Sequence, residues 1–277
     1  MPRHVQSLFV PGRSRKRYLP PAHRWVHARR RGYPDPEITR LRLEFPRLSR
    51  DLRGFRILHL SDIHHGLFYS PSRLQRVIEL SNQQEPDFIA ITGDFVTQSA
   101  QFIEPVCRAL ADLKARCGVY AVLGNHDFRA GAETLTQALE HRRIRVLRNR
   151  YEWLRVGRAK LLLAGMDDAR QHPSLAAVLQ PVPRGADFSL LLAHNPRCLR
   201  AAARHGMDLV LSGHTHGGQI KPPFARPLYR RMVAEGLLRE GKTRMYVSRG
   251  LGQVILPWRW GCPPEIAVLE LDSTSHQ

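Results

Sequence analysis

Five times along this chain of 277 residues, a short apolar run ends in a motif built from Asp, Asn, Gly and His. In the most informative case, the run Leu209 to Ser212 leads into Gly213-His214-Thr215-His216-Gly217. Side chains two residues apart on an extended segment point the same way, so both imidazoles can face one point. Glycine lets the backbone turn sharply and approach closely. Because imidazole is a ligand of Zn, Mn and Fe, this spacing predicts a metal site at a strand end.

Helical patterns separate most of these runs, and the alternation predicts an α/β fold with largely parallel strands. One helix is expected to begin at Ser70-Pro71, since Pro suits a first helical turn; its inward face would carry Leu74, Val77, Ile78 and Ser81. Further helices are expected at about 102–115, at 132–140 and up to about 205. The strands between them are expected at 55–60, 87–92, 119–123, 188–193 and 209–212.

The segment 144–165 has a different pattern. Strands at 144–147, 151–156 and 160–163 follow one another with short turns between them, so a second sheet is expected to begin here. Residues 38–45 alternate between apolar and polar and predict an edge strand, and closing strands are expected at 244–248 and 266–271. Two mixed sheets packed face to face, with helices outside, satisfy both patterns within one domain, residues 38–277.

Residues 1–37 are rich in Pro and Arg without periodicity and are interpreted as an irregular basic arm. The whole chain has a net charge of +19, and residues 1–50 hold 13 Lys and Arg against 3 Asp and Glu. The positive electrostatic field of such a chain favours binding to anionic lipid, nucleic acid or phosphorylated metabolites. Tyr18, Trp25 and Tyr33 lie among the arginines, as expected for peripheral contact with an anionic membrane surface. A solvated arm that only keeps the protein in solution is an equal alternative.

Targeting signals are weak in this sequence. No apolar run approaches the 18 residues of a membrane span, and the N-terminus lacks the apolar core of a secretory signal. The four cysteines, Cys107, Cys117, Cys198 and Cys262, show no Cys-x-x-Cys spacing and are expected to be reduced thiols. These features predict a cytoplasmic protein, with peripheral association at the inner membrane left open. A nucleic-acid-binding protein is disfavoured because the sequence has no helix-turn-helix, zinc-finger or RNA-recognition signature.

The residues that follow the five apolar runs form one candidate constellation. Loops at the carboxyl ends of strands gather at one rim of an α/β sheet, so residues distant in sequence are expected to converge there. Their carboxylate, amide and imidazole groups suit Mn²⁺, Fe or Zn²⁺, and they outnumber the ligands that one ion needs. The count therefore predicts two ions bridged by a carboxylate. The set comprises Asp62, His64, Asp94, Asn125, His126, Asp127, His194, His214 and His216.

In order and spacing these motifs resemble those of the calcineurin-like metallophosphoesterases, over about residues 52–272. The resemblance implies a four-layer α/β/β/α sandwich of two mixed sheets and a dimetal phosphoesterase activity. It also implies two divalent transition-metal ions, with Mn²⁺ the leading candidate and Fe or Zn²⁺ the alternatives. The implied ligands are Asp62, His64 and His216 for one ion, and Asn125, His194 and His214 for the other, with Asp94 bridging.

The same resemblance implies that His126 contacts the scissile phosphate and that Asp127 orients the His126 ring. Many relatives carry an acidic residue three positions after the aspartate of the second motif, whereas Thr97 stands here. That position is not a metal ligand in the pattern, so the departure bears on the surroundings of the ligands and leaves the ligand set intact.

Three segments resemble the bacterial YkuE/YaeI-type branch, which includes the pyrophosphatase that acts on UDP-2,3-diacylglucosamine in lipid A synthesis. They are 193–196, 213–219 and 246–252, the last together with 262–266. The leading substrate hypothesis is therefore a phosphodiester or pyrophosphate bond in a membrane-associated nucleotide-lipid. One alternative is a general phosphodiesterase or phosphatase for soluble or protein substrates; a weaker one is a basic nucleic-acid-binding protein or nuclease.

Other residues carry more than one interpretation. His59 lies within a predicted strand and is expected to be a packed core histidine, whereas His65 is a candidate pocket residue. Arg249 follows a predicted strand and is either a phosphate contact or a surface residue. Trp258 and Trp260 either form a lip facing lipid or a base, or pack beneath Pro257.

Overall fold

The computed structural model describes residues 35–168, 175–178, 185–222 and 234–274. Apart from its last three residues, the basic arm predicted over 1–37 lies outside these ranges, so the boundary between arm and domain remains a prediction. The strands are β1 (Glu37–Phe45), β2 (Arg56–Leu60), β3 (Phe88–Thr92), β4 (Val119–Val122), β5 (Ile144–Val146), β6 (Arg150–Val156), β7 (Ala159–Met166), β8 (Phe188–Ala193), β9 (Leu209–Ser212), β10 (Gly236–Glu240), β11 (Thr243–Val247) and β12 (Glu265–Ser273). The α-helices are α1 (Pro71–Asn82), α2 (Ile103–Leu110), α3 (Asn125–Glu140), α4 (Leu175–Val178) and α5 (Leu199–Arg204).

The described strands form two mixed sheets of six strands each. The first has the order β1-β12-β2-β3-β4-β5 and the second the order β10-β11-β9-β8-β7-β6. In the first sheet β2, β3, β4 and β5 run parallel, while β12 is antiparallel to β2. In the second sheet β7, β8, β9 and β11 run parallel, and β6 and β10 pair antiparallel at the two edges. Parallel strands direct their carboxyl ends to the same rim.

Three apolar clusters separate four layers. Ile89 of β3 packs toward the helices α1, α2 and α3, and its neighbour Phe88 packs between the two sheets. Leu191 of β8 packs toward α4 and α5, while Leu190 faces the space between the sheets. Since successive side chains of a strand point to opposite faces, the central strands are apolar throughout because both of their faces are buried. The molecule is therefore the predicted α/β/β/α sandwich.

Helix α1 shows how the local sequence specifies an element. The Ser70 side chain accepts a hydrogen bond from the backbone N–H of Arg73 and caps the helix, and Pro71 occupies the first turn. Ser and Pro are favoured at these two positions. The residues predicted to face inward are the buried residues of this helix: Leu74, Val77, Ile78 and Ser81.

Two expectations about the elements need correction, and one strand was not expected. Strand β5 closes the first sheet beside β4 and does not begin the second one, which starts in sequence with β6. Helix α3 begins at Asn125, not near Ala132, although Gly131 interrupts it with φ 126°. Strand β10 was not anticipated, because Gly236–Glu240 lies at a sheet edge and none of its residues is buried. Among the described residues, no helix is both long enough and apolar enough to cross a bilayer.

Candidate metal centre

The sequence motifs all lie at the carboxyl ends of parallel strands. Asp62, Asp94 and Asn125 follow β2, β3 and β4 of the first sheet, while His194 and His214 follow β8 and β9 of the second. Hydrogen bonds join the two rims: the Nδ1 atom of His194 lies 2.7 Å from the carbonyl oxygen of Thr92. The predicted convergence of strand ends therefore occurs where the two sheets meet.

One cluster of candidate ligands is formed by Asp62, His64 and His216, whose ligand atoms lie within 4.8 Å of one another. The two Nε2 atoms of His64 and His216 are 3.0 Å apart, and His216 Nε2 is 3.4 Å from Asp62 Oδ1. All three residues are buried. Nitrogen ligands about 2.1 Å from one ion and at a right angle to each other would have this spacing. The cluster is therefore shaped for a cation.

A second cluster is formed by Asp94, His194 and His214, again with ligand atoms within 4.8 Å of one another. His194 Nε2 lies 3.2 Å from Asp94 Oδ2 and 3.0 Å from His214 Nδ1. Because Nδ1 of His194 donates to the Thr92 carbonyl, its Nε2 atom is directed at the cluster. Such a partner on the outer nitrogen fixes the orientation of a ligating imidazole.

Asp94 lies between the two clusters. Its Oδ2 atom is 3.2 Å from His194 Nε2 of the second cluster and 3.5 Å from His64 Nε2 of the first. Its Oδ1 atom accepts the backbone N–H of His126 at 2.9 Å. The carboxylate thus reaches groups of both clusters, as a bridging ligand must.

Asn125 contributes a test of whether the residues fit a cation. The Oδ1 atom of Asn125 is buried and has no hydrogen-bond partner among the described residues. A buried acceptor without a partner is costly, and a cation coordinated by that oxygen would remove the cost. Together with the mixed carboxylate and imidazole donors, this orphaned oxygen shows that the residues fit one or two divalent ions.

The backbone of the candidate ligands is strained. Ten described residues other than glycine have positive φ, and five of them are Asp62, His64, Asp94, His214 and His216. Residues held in the left-handed region cost about 1–3 kcal/mol each and concentrate at functional sites. The fold therefore holds these five side chains in place against the local preference of the chain.

The charge states of the histidines differ within the centre. Burial lowers the pKa of His64 to about 3, and burial together with the Arg259 guanidinium lowers the pKa of His216 to about 3. Burial also acts to lower the pKa of His194, but the Asp94 carboxylate outweighs it and raises that pKa to about 10. Neutral imidazole is the form that binds metal, so His64 and His216 are ready to bind, whereas His194 must release a proton.

The ring of His126 is oriented by a backbone group. His126 Nδ1 hydrogen-bonds with the carbonyl oxygen of Thr97, and the ring lies edge-on to His64 with 4.8 Å between centroids. The expectation that Asp127 orients this ring is wrong. The Asp127 carboxylate instead accepts backbone N–H groups of Asp94 at 2.7 Å and of Gly124 at 2.8 Å, and so fixes the ends of β3 and β4.

At Thr97, where many relatives carry an acidic residue, the group that contacts His126 is the main-chain carbonyl and not the side chain. Because the main chain at this position holds His126, the contact does not depend on which side chain is present. The Thr97 hydroxyl takes a separate role and donates to the carbonyl oxygen of His64 at 3.2 Å.

Close packing requires glycine beside the first cluster. A Cβ atom added at Gly213 would lie 1.9 Å from Ser61 Oγ and 2.2 Å from Asp62 Oδ2. The absence of a side chain lets the backbone N–H of His214 reach both oxygens of Asp62, at 3.1 and 3.0 Å. The glycine before the His-x-His motif is therefore needed for the position of Asp62.

The remaining candidates lie apart from the two clusters. His59 is buried and its Nε2 atom is 2.8 Å from Thr92 Oγ1, so it is the expected core histidine. His65 is also buried and packs edge-on against Phe102. Arg249 is neither a phosphate contact nor a free surface residue, because its guanidinium pairs with Glu265 at 2.9 Å and Glu37 at 3.0 Å.

Three residues near the centre were not singled out from the sequence. Arg259 places Nη2 3.3 Å from Nδ1 of His216. Asp168 is buried at the end of β7, and its Oδ2 atom has no partner among the described residues. Gln219 binds the segment that carries Trp258 and Trp260. Only the last had a signal in the sequence, since it closes the motif that contains both histidines.

Comparison with known proteins places these motifs in a family context. A family model described as calcineurin-like phosphoesterase matches residues 55–218. The chain is 33% identical over 248 residues to the uncharacterized metallophosphoesterase YkuE of Bacillus subtilis, with 86% of each chain covered. It is 32% identical over 246 residues to the phosphodiesterase YaeI of Escherichia coli, with 85% of this chain and 88% of that one covered. Six further relatives are longer, and the chain spans 48% to 65% of their length.

Similarity to solved structures concerns the fold alone. The Haemophilus influenzae NAD nucleotidase NadN superposes with a TM-score of 0.50 at 17% sequence identity, over 71% of this chain and 50% of that one. At this identity the match supports the layered architecture and carries nothing about substrate.

Proposed function

The chain belongs to the calcineurin-like phosphoesterase family and is a metal-dependent phosphoesterase, and from that premise we propose that it hydrolyses a phosphodiester or pyrophosphate bond. The observation that supports a dimetal centre most directly is the pair of adjacent Asp/His clusters, joined by Asp94, in which every residue except the half-buried His214 is buried. Two adjacent cations can hold the attacking and leaving oxygens of one phosphoryl group on the same line.

We assign the ligands by cluster. Asp62, His64 and His216 would hold one ion, while Asn125, His194 and His214 would hold the other, with Asp94 shared. Carboxylate, amide and imidazole donors suit Mn²⁺, Fe and Zn²⁺. This donor set does not discriminate among the three, and Mn²⁺ is the first metal to test.

When bound, the two ions would neutralise phosphoryl oxygens and activate a water for attack. The protein's own contribution is to hold groups around that phosphate. The Thr97 carbonyl accepts the Nδ1 proton of His126, which leaves Nε2 available to contact the phosphate. In the doubly protonated ring, Nε2 would also have a proton to give to the leaving oxygen. Asp127 acts indirectly, because its carboxylate anchors the backbone at Asp94 and Gly124.

The narrower substrate hypothesis is a nucleotide-lipid, with UDP-2,3-diacylglucosamine as the first candidate. It is supported by the motif resemblance to the YkuE/YaeI-type branch and by the name phosphodiesterase carried by the Escherichia coli relative. The net charge of +19 also favours an anionic substrate.

A metal-reconstitution assay tests the proposed function. The full chain would be stripped of metal, reloaded with Mn²⁺, Fe²⁺ or Zn²⁺, and assayed with bis-p-nitrophenyl phosphate and with UDP-2,3-diacylglucosamine. We expect metal-dependent turnover of the diester, with UMP and the lipid monophosphate as the products of the second substrate by mass spectrometry. If no UMP forms, UDP-2,3-diacylglucosamine is not the substrate. If neither substrate is hydrolysed with any of the metals, the proposed hydrolysis of a phosphodiester or pyrophosphate bond is wrong.

Two matched histidine variants test in the same assay whether a proposed metal ligand is needed for activity. His216→Asn removes a proposed ligand, whereas His141→Asn makes the same exchange at an exposed position at the end of α3. We expect the first variant to lose at least about 100-fold in kcat/KM and the second to keep the wild-type value.

We also propose that residues 1–37 form a separate arm on the catalytic domain 38–277, and that this arm contacts anionic membrane surfaces from the cytoplasmic side. The concentration of Arg with Tyr18, Trp25 and Tyr33 supports this. Deletion of the arm should lower vesicle binding in a salt-dependent way and leave diester turnover unchanged. Equal binding with and without the arm would leave it only a solvated extension.

A further inference from the structure

Exposed apolar side chains concentrate in one segment beside the centre, residues 254–260, which we call the lip. Eight large hydrophobic residues of the described chain are exposed, and four belong to the lip. Single exposed apolar residues are ordinary, but a group of them marks an interaction site. The four are Ile255 at 92% exposed, Leu256 at 41%, Trp258 at 49% and Trp260 at 47%.

The lip is held in this outward position by Gln219. The Gln219 side-chain amide donates to the carbonyl oxygens of Val254 and Leu256 at 3.1 Å and of Trp258 at 3.2 Å. Its Oε1 atom accepts the Val254 N–H at 2.8 Å. Ile255 has φ 65°, which is unfavourable for a β-branched residue. One side chain therefore binds the backbone of three lip residues, Val254, Leu256 and Trp258, while the apolar side chains stay in solvent.

The lip is also attached to the metal centre. Arg259 lies within it and binds the carbonyl oxygens of Gly252 at 2.8 Å and Arg249 at 2.9 Å, with Nη2 3.3 Å from His216 Nδ1. The Trp260 N–H donates to the Gln219 carbonyl at 3.1 Å. Gly252, just before the lip, packs so closely on His64 that an added Cβ would lie 2.9 Å from the Cβ of His64.

A second exposed apolar pair follows the His64 motif directly. Leu67 and Phe68 are exposed, and they lie three and four residues after His64. Apolar side chains thus extend from segments attached to both histidines of the first cluster, His64 and His216.

We propose that the lip inserts into the interface of a bilayer with anionic headgroups, so that the metal centre beside it takes its phosphate ester from a membrane surface. Tryptophan concentrates at the boundary between headgroups and acyl chains, and isoleucine and leucine beside it add apolar area that a bilayer buries. The net charge of +19 complements an anionic headgroup layer. This inference rests on the proposed function and narrows its substrate class to lipid-linked phosphates.

Vesicle sedimentation with the full chain tests the lip. Vesicles of phosphatidylcholine, with and without phosphatidylglycerol, would be mixed with wild type, with the double variant Ile255→Ser/Trp258→Ser, and with the control Trp153→Ser. Trp153 is likewise exposed but lies on the edge strand β6. Loss of two apolar side chains that the bilayer would bury should weaken binding by about tenfold or more, whereas the control should bind like wild type.

Several results would contradict the proposal that the lip inserts into a bilayer. Wild type that binds neither vesicle would overturn the proposal. The double variant binding as well as wild type would also overturn it, and deletion of 1–37 would then show whether the arm carries the binding instead. Weaker binding of UMP by the double variant, with unchanged vesicle binding, would make the lip a base-stacking surface instead. Turnover of bis-p-nitrophenyl phosphate should be unchanged in the double variant. Failure of the membrane-insertion proposal can therefore be distinguished from failure of the proposed phosphoesterase function.

Discussion

At the scale of single residues, His194 differs from the other imidazoles of the centre because Asp94 lies 3.2 Å from its Nε2 atom. Burial alone favours a neutral ring, as at His64 and His216, but this carboxylate reverses the balance and raises the pKa of His194 to about 10. In the metal-free protein a proton therefore occupies the position that a cation would take.

This arrangement predicts proton release on metal binding. At pH 8 we expect at least one proton to leave per chain as the ions bind, because His194 must become neutral and a metal-activated water can release another. Titration calorimetry in buffers of different ionisation enthalpy measures that number. A value of zero at pH 8 would show that His194 is already neutral without metal.

The same shift predicts how the metal-free protein responds to pH. A group whose pKa is raised on folding stabilises the folded state below its unfolded pKa and loses that contribution as pH rises through the folded value. The Tm of metal-free protein should therefore fall between about pH 6.5 and pH 10. Asp127 acts in the same direction, since burial and the Asp94 charge raise its pKa to about 8. A Tm that rises across this range would contradict both assignments.

The contact between Thr97 and His126 predicts that the Thr97 main-chain carbonyl, and not its side chain, is needed for activity. His126→Gln should lower kcat by at least about 100-fold while metal content stays unchanged. Thr97→Val keeps the carbonyl that holds the His126 ring and should keep kcat within about threefold of wild type. A large loss of kcat in Thr97→Val would show that the hydroxyl, and not the carbonyl, is needed.

Residue roles were predictable from the sequence only in part. The positions of the aspartates and histidines at strand ends were apparent, because polar residues interrupt apolar runs there. The roles of Asp127 and Thr97 were not, because they depend on backbone N–H and C=O groups that no residue type reveals. Arg259 was likewise hidden, since its partners are main-chain carbonyls and one imidazole nitrogen.

At the scale of elements, the strand ends act together because glycines let them approach. Gly213 tests this idea: a Cβ there would overlap Ser61 and Asp62. Gly213→Ala should destabilise the protein by about 1–3 kcal/mol through overpacking and should also weaken metal binding. Gly206→Ala is the control, because Gly206 has φ 70° and no atom near its missing Cβ; it should lose stability from backbone strain and bind metal normally.

Equal metal affinity in the two glycine variants would contradict the role given to Gly213. Chemical denaturation gives the stability of each variant, and titration with Mn²⁺ gives the affinity.

Element type followed from apolar periodicity, but sheet membership did not. The sequence pattern of β5 is that of a hairpin strand, and its parallel pairing with β4 depends on α3 returning the chain to the first sheet. The early start of α3 was missed because Asn125, His126 and Asp127 resemble a turn. Their side chains and backbone bind Asp94 and the strand ends, so long-range contacts decide the local conformation.

At the scale of the whole molecule, the candidate ligands connect the two sheets. Asp62, His64, Asp94 and Asn125 follow strands of the first sheet, whereas His194, His214 and His216 follow strands of the second. Bound cations would therefore add a link between two layers that already meet through apolar packing and through hydrogen bonds at the rim, such as that from His194 to the Thr92 carbonyl. The layered fold was predictable because helical and strand patterns alternate, whereas the contact between the two rims required the structure.

This connection predicts a metal-dependent increase in stability. A ligand at 1,000 times its dissociation constant stabilises the folded state by about 4 kcal/mol, so saturating metal should raise Tm by several degrees. Thermal unfolding of metal-free and reloaded protein measures the increase. His216→Asn should show a smaller increase than His141→Asn, and an equal increase in both would place the stabilising ion elsewhere.

Metal analysis of the purified chain tests the central claim most directly. Elemental analysis of reloaded protein by mass spectrometry should give two transition-metal ions per chain. His216→Asn and His214→Asn should each reduce the content toward one, because they belong to different clusters. A wild-type content of zero or one, or two ions retained in both variants, would contradict the proposal that these residues hold a pair of cations.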